Sequence, residues 1–492
     1  RLRHRPTRSG TWPLRIVFES FGRTLYDSVR VPVACELLRI SKELPEALDH
    51  FIEVHGLDAQ LGLPSGADMT SRLLERHAED LDAYEAMLRD IRHVMDLAES
   101  GVQVPAAKSK DGPRSGRPLR VLVASWEVPC RRHGGGVYLT DLLQRLGDRH
   151  EITLVHGHGR DEEPWVDDLR PHLHRVLSVP RQGRALPAWA FEPAIRSVCT
   201  EWVPELRSTI ESEVFSGRYD VVDYCYRWML PHASRANVPQ ILTLLEDPFA
   251  ARLSDAFRGT VDDEEKLGHL DRLLLAFYFS ACVVPRRFSA MTTVNAADAR
   301  WIKPLGGDRV WVNGIGVDLE KFQANGRGTP KRPRFVFVGN YRHPPSVDAA
   351  RFAAEEVLPQ LRRRLAGAEL SIVGAHPTPE LEALNQRDGV TVTGFVDDIR
   401  DWLQGATAFI APIFTGAGTR VKVLEAMSCG APVIGTPLAF QGIGGEDGTH
   451  YRLAETVGQF VDACQSLAQD QSQADAISKA ARHWVEAHHG LD

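Results

Sequence analysis

Residues 412–432, PIFTGAGTRVKVLEAMSCGAP, decide the reading of this chain. A short apolar strand, Ala408–Ala411, runs into Pro412. The loop after it holds Gly416 and Gly418. A helix is expected from about Thr419 to Cys429, with Gly430 supplying the left-handed residue that ends a helix. The first turn of a helix carries unbonded N–H groups and partial positive charge, which suits an anion such as phosphate. Arg420 and Lys422 add cations there. Glu425 lies further along the same helix, roughly 10 Å from its start at about 1.5 Å per residue. A carboxylate at that place accepts paired hydrogen bonds from a vicinal diol. Diphosphate at the helix tip with ribose below it describes a nucleoside diphosphate. Taken singly, each of these charges also reads as part of a solvated helix face.

Working outward, the same alternation of strand and helix recurs. Upstream lie Arg334–Gly339, Glu369–Val373 and Val390–Thr393, and Pro432–Thr436 closes the stretch. The first of these strands runs into FVGNYRHPPS, which puts Gly339 and Asn340 at a strand end with Arg342 and His343 close behind. They belong either to a cleft or to a plain surface loop. An earlier α/β unit begins at Leu119–Ser125 and continues through His150–Gly157, His174–Val179, Asp220–Tyr226 and Gln240–Leu245. Between its first two strands, Gly134-Gly135-Gly136 opens a helix ending near Gly147. Glycines there let a ligand approach the backbone, or they form a tight turn without one. The spacing is not Gly-x-Gly-x-x-Gly and no acidic residue closes the second strand, so a nicotinamide cofactor is not indicated. Two halves of this kind meet around Val310–Phe322. In such folds ligands bind outside the carboxyl ends of the strands, so the cleft between the halves is the expected site.

Residues 1–116 read differently. Arg1–Pro13 is basic and unpatterned, and Val33–Val54 has helical period. From Ser71 to Ser100, Leu74, Leu81, Leu88 and Met95 recur every seven residues, with Tyr84 and Ile91 in the alternate seam. That predicts one amphipathic helix of about eight turns at 3.6 residues each. Its apolar face serves either a helical hairpin packed on its own domain or a short coiled coil pairing two subunits. Gly101–Pro118, rich in Pro, Gly, Ser and Lys, marks a linker. The expected division is residues 1–116, 117–310 and 311–492, an α-helical N-terminal region before two Rossmann-like, doubly wound α/β domains.

Composition bounds the rest. The 492 residues hold 58 basic against 65 acidic side chains, a net charge of −7 that argues against a broad nucleic-acid footprint. No run of 18 apolar residues suggests a membrane span. Seven cysteines, odd in number and without a Cys-x-x-Cys pair, point to buried thiols in a reducing compartment rather than a disulfide framework or zinc site. The expected location is therefore the cytoplasm, or the inner face of a membrane. Peripheral contact there needs a basic apolar patch, and Arg181–Phe191 (RQGRALPAWAF) is either that patch or an ordinary loop.

From about Leu119 to the end, the chain resembles the retaining glycosyltransferases of the GT-B fold, in the large family four of nucleotide-sugar transferases. The glycine loop, VNGIGVD at 312–318, FVGNYRHPPS at 337–346 and its flank, VTGFVDDIRDWL at 392–403 and GAGTRVKVLEAMSCGAPVIGT at 416–436 carry the resemblance. It implies an acceptor mainly on the first α/β domain and a nucleotide-diphosphate sugar on the second. It places Gly135 and Gly136 near donor phosphate or sugar, Gly416, Gly418 and Thr419 in the diphosphate loop, and Glu425 on the ribose. Gly339 and Asn340 join them as donor-binding candidates. Neither a cofactor nor a metal is implied.

The sequence also departs from that family. The first of its two spaced glutamates falls on Ala417, as in the subgroup reading Gly-x-Gly-Thr-Arg. Its basic pair falls near Asn340 and Pro345, so Arg420 and Lys422 are expected to neutralise the leaving diphosphate. The histidine after the Leu-Thr strand falls near Leu245, leaving Glu246 and Asp247 as the polar candidates; Glu246 is taken as catalytic. The expected activity is sugar transfer with retention to a hydroxyl of a glycan, a lipid-linked or another acceptor, in bacterial glycan or polysaccharide biosynthesis. The alternative is a catalytically degenerate binding or scaffolding module of a larger glycan-building protein. The start at Arg1 and the ending VEAHHGLD, which resembles the segment before the family's final helix, lead us to expect a chain cut from something longer.

Overall fold

The computed structural model describes residues 48–53, 66–77, 81–100, 117–132, 134–187, 190–255, 263–324 and 332–491. The basic N-terminal stretch, most of 33–54, the linker residues 101–116 and Cys35 lie outside them. The six described cysteines are free and buried. Burial pushes the Cys130 thiol up to about 11 and Cys199 to about 12, so neither is a thiolate at neutral pH.

The expected single N-terminal helix is two, α1 (Gly66–Arg76) and α2 (Leu81–Ser100). The apolar face of α2 does not await a second subunit. Tyr84, Leu88, Ile91, Val94 and Met95 are all buried, and the helix packs on Asp263–Tyr278, Ala296–Gly306 and the π-turn Phe279–Val283 of the following domain. Polar contacts fix the register. The Tyr84 hydroxyl donates to Asp271 at 3.0 Å and His77 meets the same carboxylate at 2.8 Å. Asp90 receives Arg286 at 2.5 Å and the Tyr278 hydroxyl at 3.2 Å. Phe51, in the helical residues 48–53, packs edge-on against Phe277 with ring centres 5.4 Å apart. The coiled-coil option for pairing a homo-oligomer is thus replaced by docking within the chain.

Two parallel sheets follow among the described residues. The first contains β1 (Arg120–Ser125), β2 (Glu151–His158), β3 (Arg175–Pro180), β6 (Val221–Cys225), β7 (Gln240–Leu244), β8 (Ala290–Thr293) and β9 (Val310–Val312), ordered 3-2-1-6-7-8-9. The short antiparallel pair β4 (Arg184–Ala185) and β5 (Glu201–Trp202) stands apart. The second sheet contains β10 (Arg334–Val338), β11 (Glu369–Val373), β12 (Val390–Val392), β13 (Ala408–Ala411), β14 (Val433–Gly435) and β15 (Arg452–Leu453), ordered 12-11-10-13-14-15. Parallel strands covered on both faces read as unbroken apolar runs, which is why β1, β2, β10, β11 and β13 stand out in the text. Strands β8 and β9 did not: AMTT is short and half polar, and VWV is three residues long with Trp311 and Val312 exposed. The Thr292 hydroxyl in β8 bonds Thr243 at 2.9 Å, and Thr243 bonds Asp223 at 2.8 Å. Strand β9 pairs with β8 through Val312, so the first sheet runs to residue 312.

Helix α3 (Gly134–Gly147) packs on β2 and opens on the glycine loop. Helix α4 (Val421–Ser428) lies between β13 and β14, and α5 (Gln471–His488) packs on it. The segment after β9 is tied to α5. Arg482 donates to the carbonyls of Phe322, Ser428 and Leu319, and Val317 bridges Gly490. The residues VEAH therefore end α5. Two stretches bear on membrane contact. Glu265–Arg287 is long and apolar enough to cross a membrane, but 83% of its apolar window is buried within the first domain. In Arg181–Phe191, Phe191 is buried against Trp202 and Leu186 packs on the core, while Arg181 pairs with Glu162 at 2.8 Å. Phe191 and Leu186 thus face inward, while Ala185 and Ala190 are exposed.

The docked N-terminal helix is tested by truncation. Ile91→Ala is expected to lower unfolding stability by about 2–5 kcal/mol in chemical denaturation. Arg92→Ala, on the exposed face, should change it by less than about 0.5 kcal/mol. Equal effects at the two positions would mean that α2 is not part of the core.

Candidate functional site

Each sheet reverses its strand order beside its first strand, between β1 and β6 and between β10 and β13. These switch points open crevices at the carboxyl ends of the strands. Here the two crevices face each other across a cleft of ≈ 1240 Å³. One wall carries Gly134, Gly135, Trp165, Arg181, Tyr226, Arg227 and Glu246 from the first domain. The other carries Gly339, Asn340, Gly416–Lys422 and Glu425.

The second wall is electropositive by construction. Gly416 and Gly418 adopt φ of 105° and 77°, which other residues rarely reach. The chain then enters α4 with Arg420 at its N-cap position, whose side chain makes no cap hydrogen bond. The helix starts two residues later than expected because the Thr419 hydroxyl turns away, donating to the Val294 carbonyl of the first domain at 3.3 Å. Gly430, at φ 77°, ends it as expected.

Arg420 is only 8% exposed. Its Nη1 donates to the Gly418 carbonyl, and its Nη2 has no partner among the described residues. Burial pulls its pKa down to about 10, opposed by Glu246 and Asp298 of the first domain. Lys422 donates to the Ser346 hydroxyl at 3.2 Å and lies 4.7 Å from the centre of the Phe337 ring. Burial, reinforced by Arg420, brings its ammonium down to about 7. Glu425, about one turn further along α4, is pushed up to about 7 by burial, with Lys321 and Lys422 opposing.

On the first wall, Glu246 stands 3.7 Å from Arg227. Its neighbour Asp247 turns away from the cleft: fully buried, it accepts from the Ala250 amide at 2.9 Å and starts the helix Pro248–Asp255. Arg132 lies 4.9 Å from the Trp165 ring on its own domain and 5.5 Å from Phe395 on the other, a cation–π contact spanning the cleft mouth.

The structure thus gathers Gly135, Glu246, Gly339, Asn340, Gly416, Gly418, Thr419, Arg420, Lys422 and Glu425 in one cleft. Two of the named residues have packing contacts of their own. Gly136 is buried behind the lining, where its carbonyl accepts from Thr140 at 2.8 Å. The Thr419 hydroxyl is committed to the domain contact. Asn340 keeps its side-chain oxygen on the Arg342 amide at 3.1 Å. Lining residues that the sequence reading passed over include Tyr226, Arg132, Trp165, Lys321 and Phe395. Strand-end or loop positions signalled all but Trp165, which sits in the 3-10 helix Glu163–His172. No group of three His, Cys, Asp or Glu side chains suited to a metal occurs among the described residues.

Comparison with known proteins gives a consistent picture. Residues 332–470 match the family described as glycosyl transferases group 1. A GDP-mannose-dependent alpha-(1-6)-phosphatidylinositol monomannoside mannosyltransferase of Mycobacterium tuberculosis is 34% identical over 395 residues, spanning 75% of this chain and 94% of that protein. The sucrose-phosphate synthase of Thermosynechococcus elongatus shares the fold with a TM-score of 0.55 at 15% identity, over 76% of this chain and 95% of that one. HepE of Anabaena, solved in complex with UDP-glucose, gives 0.53 at 14% identity, over 76% and 96%.

Domain approach depends on glycine at 418. A Cβ there would stand 2.5 Å from the Leu245 carbonyl oxygen of the opposite domain. Gly418→Ala is therefore expected to cost about 1 kcal/mol or more of stability, through its positive φ and this clash. It should also lower the affinity for any ligand held by both walls. Calorimetric melting and ligand titration check both; an unchanged melting point would show that the close approach is not maintained in solution.

Proposed function

The chain belongs to the GT-B glycosyltransferases of group 1, and from that premise we propose that it transfers a sugar from a nucleotide-diphosphate donor to an acceptor hydroxyl with retention. The observation carrying this reading is the N-terminus of α4. An uncapped helix start, a buried arginine with an unpartnered Nη2 and a half-buried lysine converge on one side of the cleft, with a carboxylate one turn below. Helix amides and Arg420 hold the diphosphate, and Lys422 adds the compact charge that grows in value as the leaving phosphate develops negative charge. Glu425 accepts from the ribose diol. Glu246, on the facing wall, lies on the acceptor side with Arg227. As the donor bond stretches, the sugar gains oxocarbenium character and the acceptor hydroxyl attacks from the face the diphosphate leaves, passing its proton to the departing phosphate oxygen.

The mycobacterial relative makes GDP-mannose the first donor to test and a lipid-linked hydroxyl the first acceptor class. Neither a cofactor nor a metal takes part in this scheme, so EDTA should leave the rate unchanged. The buried free thiols favour a reducing, cytoplasmic setting, and bacterial glycan or polysaccharide synthesis is the role such a reaction would serve.

Melting curves with GDP, UDP and their sugars should show a rise for the true nucleotide, since a ligand of the native state alone stabilises it. Turnover of the matching donor, with product configuration read by NMR, tests transfer and retention. Binding without turnover would favour the scaffolding alternative, which the alanine at 417 also suggests. Arg420→Ala is expected to lower kcat by roughly 10²–10³-fold, as for loss of one group that stabilises developing charge.

Two limbs of pH dependence follow. An anionic ligand binds the charged form of Lys422 and so raises its pKa; affinity should then fall as pH rises above about 7. Glu425 binds a diol better when ionised, so affinity should also fall below about 7. Lys422→Arg is expected to remove the alkaline limb and Glu425→Gln the acid limb, measured as nucleoside diphosphate Kd from pH 5.5 to 9.

A further inference from the structure

Tyr226 follows β6 directly, at the switch point of the first sheet. Among the described residues, it and His376 are the two non-glycine residues with φ in the left-handed range, at 77° and 59°, and both line the cleft. Strained backbone of this kind persists where the surroundings hold a side chain in a particular place. For Tyr226 that place is the first turn of α3. Its hydroxyl stands 2.7 Å from the point a Cβ on Gly135 would occupy, with Leu245 and its own ring edge each 3.1 Å from that point. The absence of a side chain at 135 is what admits it.

The residue is 7% exposed, yet its hydroxyl has no hydrogen-bond partner among the described residues. A buried hydroxyl without a partner destabilises the fold, and phenylalanine would fill the same space without that penalty. Around it, the lining carries donors alongside the carboxylates of Glu127 and Glu246. The first amides of a helix lack intrahelical partners. Arg181 and Arg227 line the same wall. Gly134 brings the start of α3 close to that of α4, its Cβ position 3.5 Å from the Val421 side chain. Two helix N-termini, one from each domain, thus meet beside the phenol. Burial, helped by Glu127, holds the phenol well above its ordinary pKa, so it stays protonated and able to donate.

We propose that Tyr226 donates its hydroxyl hydrogen to a phosphoryl oxygen lodged between the N-termini of α3 and α4, and that it is a substrate-binding residue of the transfer reaction. This rests on the donor-site reading above. The phosphoryl group comes from the donor diphosphate or from a phosphate on the acceptor, and the two sources separate by titration.

The test compares the wild-type chain with Tyr226→Phe, Gly135→Ala and the double variant. GDP and UDP are titrated first, then glycerol 3-phosphate onto the nucleotide-saturated protein, and each ligand-free protein is melted. For Tyr226→Phe the ligand-free melting point should stay level or rise, while Kd for the bound nucleoside diphosphate rises about tenfold or more, as for a lost hydrogen bond to a charged group. Gly135→Ala should give a similar loss, and the double variant no more than either alone. A loss seen only for glycerol 3-phosphate assigns the phosphate to the acceptor. Unchanged affinities for every probe in Tyr226→Phe, with wild-type binding intact, overturn the role of Tyr226 and leave the donor site standing. A melting point several degrees lower with unchanged affinities makes the residue structural and also overturns it. Wild-type protein that takes up none of the probes defeats both readings.

Discussion

Positive charge is concentrated where the two α/β domains meet, and among the described residues no side chain of the second domain neutralises Arg420. Arg420 braces the loop that carries it by bonding the Gly418 carbonyl. The carboxylates that keep it charged, Glu246 and Asp298, belong to the first domain. In a medium of reduced dielectric such an interaction is strong, and an unpaired buried charge is expensive. The arrangement therefore ties domain approach to the electrostatics of the cleft. It also sets carboxylates close together. Asp298 is raised to about 6 and Asp247 to about 7, chiefly by burial, and for Asp247 the nearby Asp298 adds to it. An anionic substrate beside Arg420 would compete with Glu246 and Asp298 for the guanidinium.

The close approach depends on residues without side chains. Gly418 passes over the Leu245 carbonyl, and Gly442 lies where a Cβ would be 2.8 Å from Asn295 and 2.5 Å from the Thr419 hydroxyl. Thr419 then spans the same boundary through Val294. The connecting segment is held to the second domain by Arg482, and His489 contacts the Ile315 carbonyl at 3.2 Å and the Ile443 carbonyl at 2.8 Å. What remains between the domains is the cleft itself, lined by strand ends that have no regular partner.

The N-terminal helices solve a separate problem. Helix Asp263–Tyr278 and the π-turn after it are apolar over much of their surface, and they would expose that surface without α2. Docking buries it, and the pairs Tyr84–Asp271 and Asp90–Arg286 satisfy the polar groups at the seam. The seven-residue spacing in α2 was visible in sequence. Its partner was not, because an apolar stripe states that something must cover it without saying what.

The sequence alone determined the local elements whose signals are local: apolar runs for central parallel strands, glycines for helix starts and stops, and a loop–helix stretch whose charges suit a nucleoside diphosphate. It placed Gly135, Gly416, Gly418, Arg420, Lys422 and Glu425 as candidates because each sits in a stretch with a readable backbone purpose. It missed β8 and β9, whose threonines and exposed tryptophan hide them, and it could not show that Gly136 lies behind the lining or that the Thr419 hydroxyl bonds across the domain boundary. The tertiary structure gives the physical reason to prefer Glu246 to Asp247, since neighbours in a chain face a cleft or a core according to the turn between them. Only it brought Tyr226 to Gly135, two residues 91 positions apart. Long-range juxtaposition arises when sheets twist and domains close, and no short-range pattern encodes it.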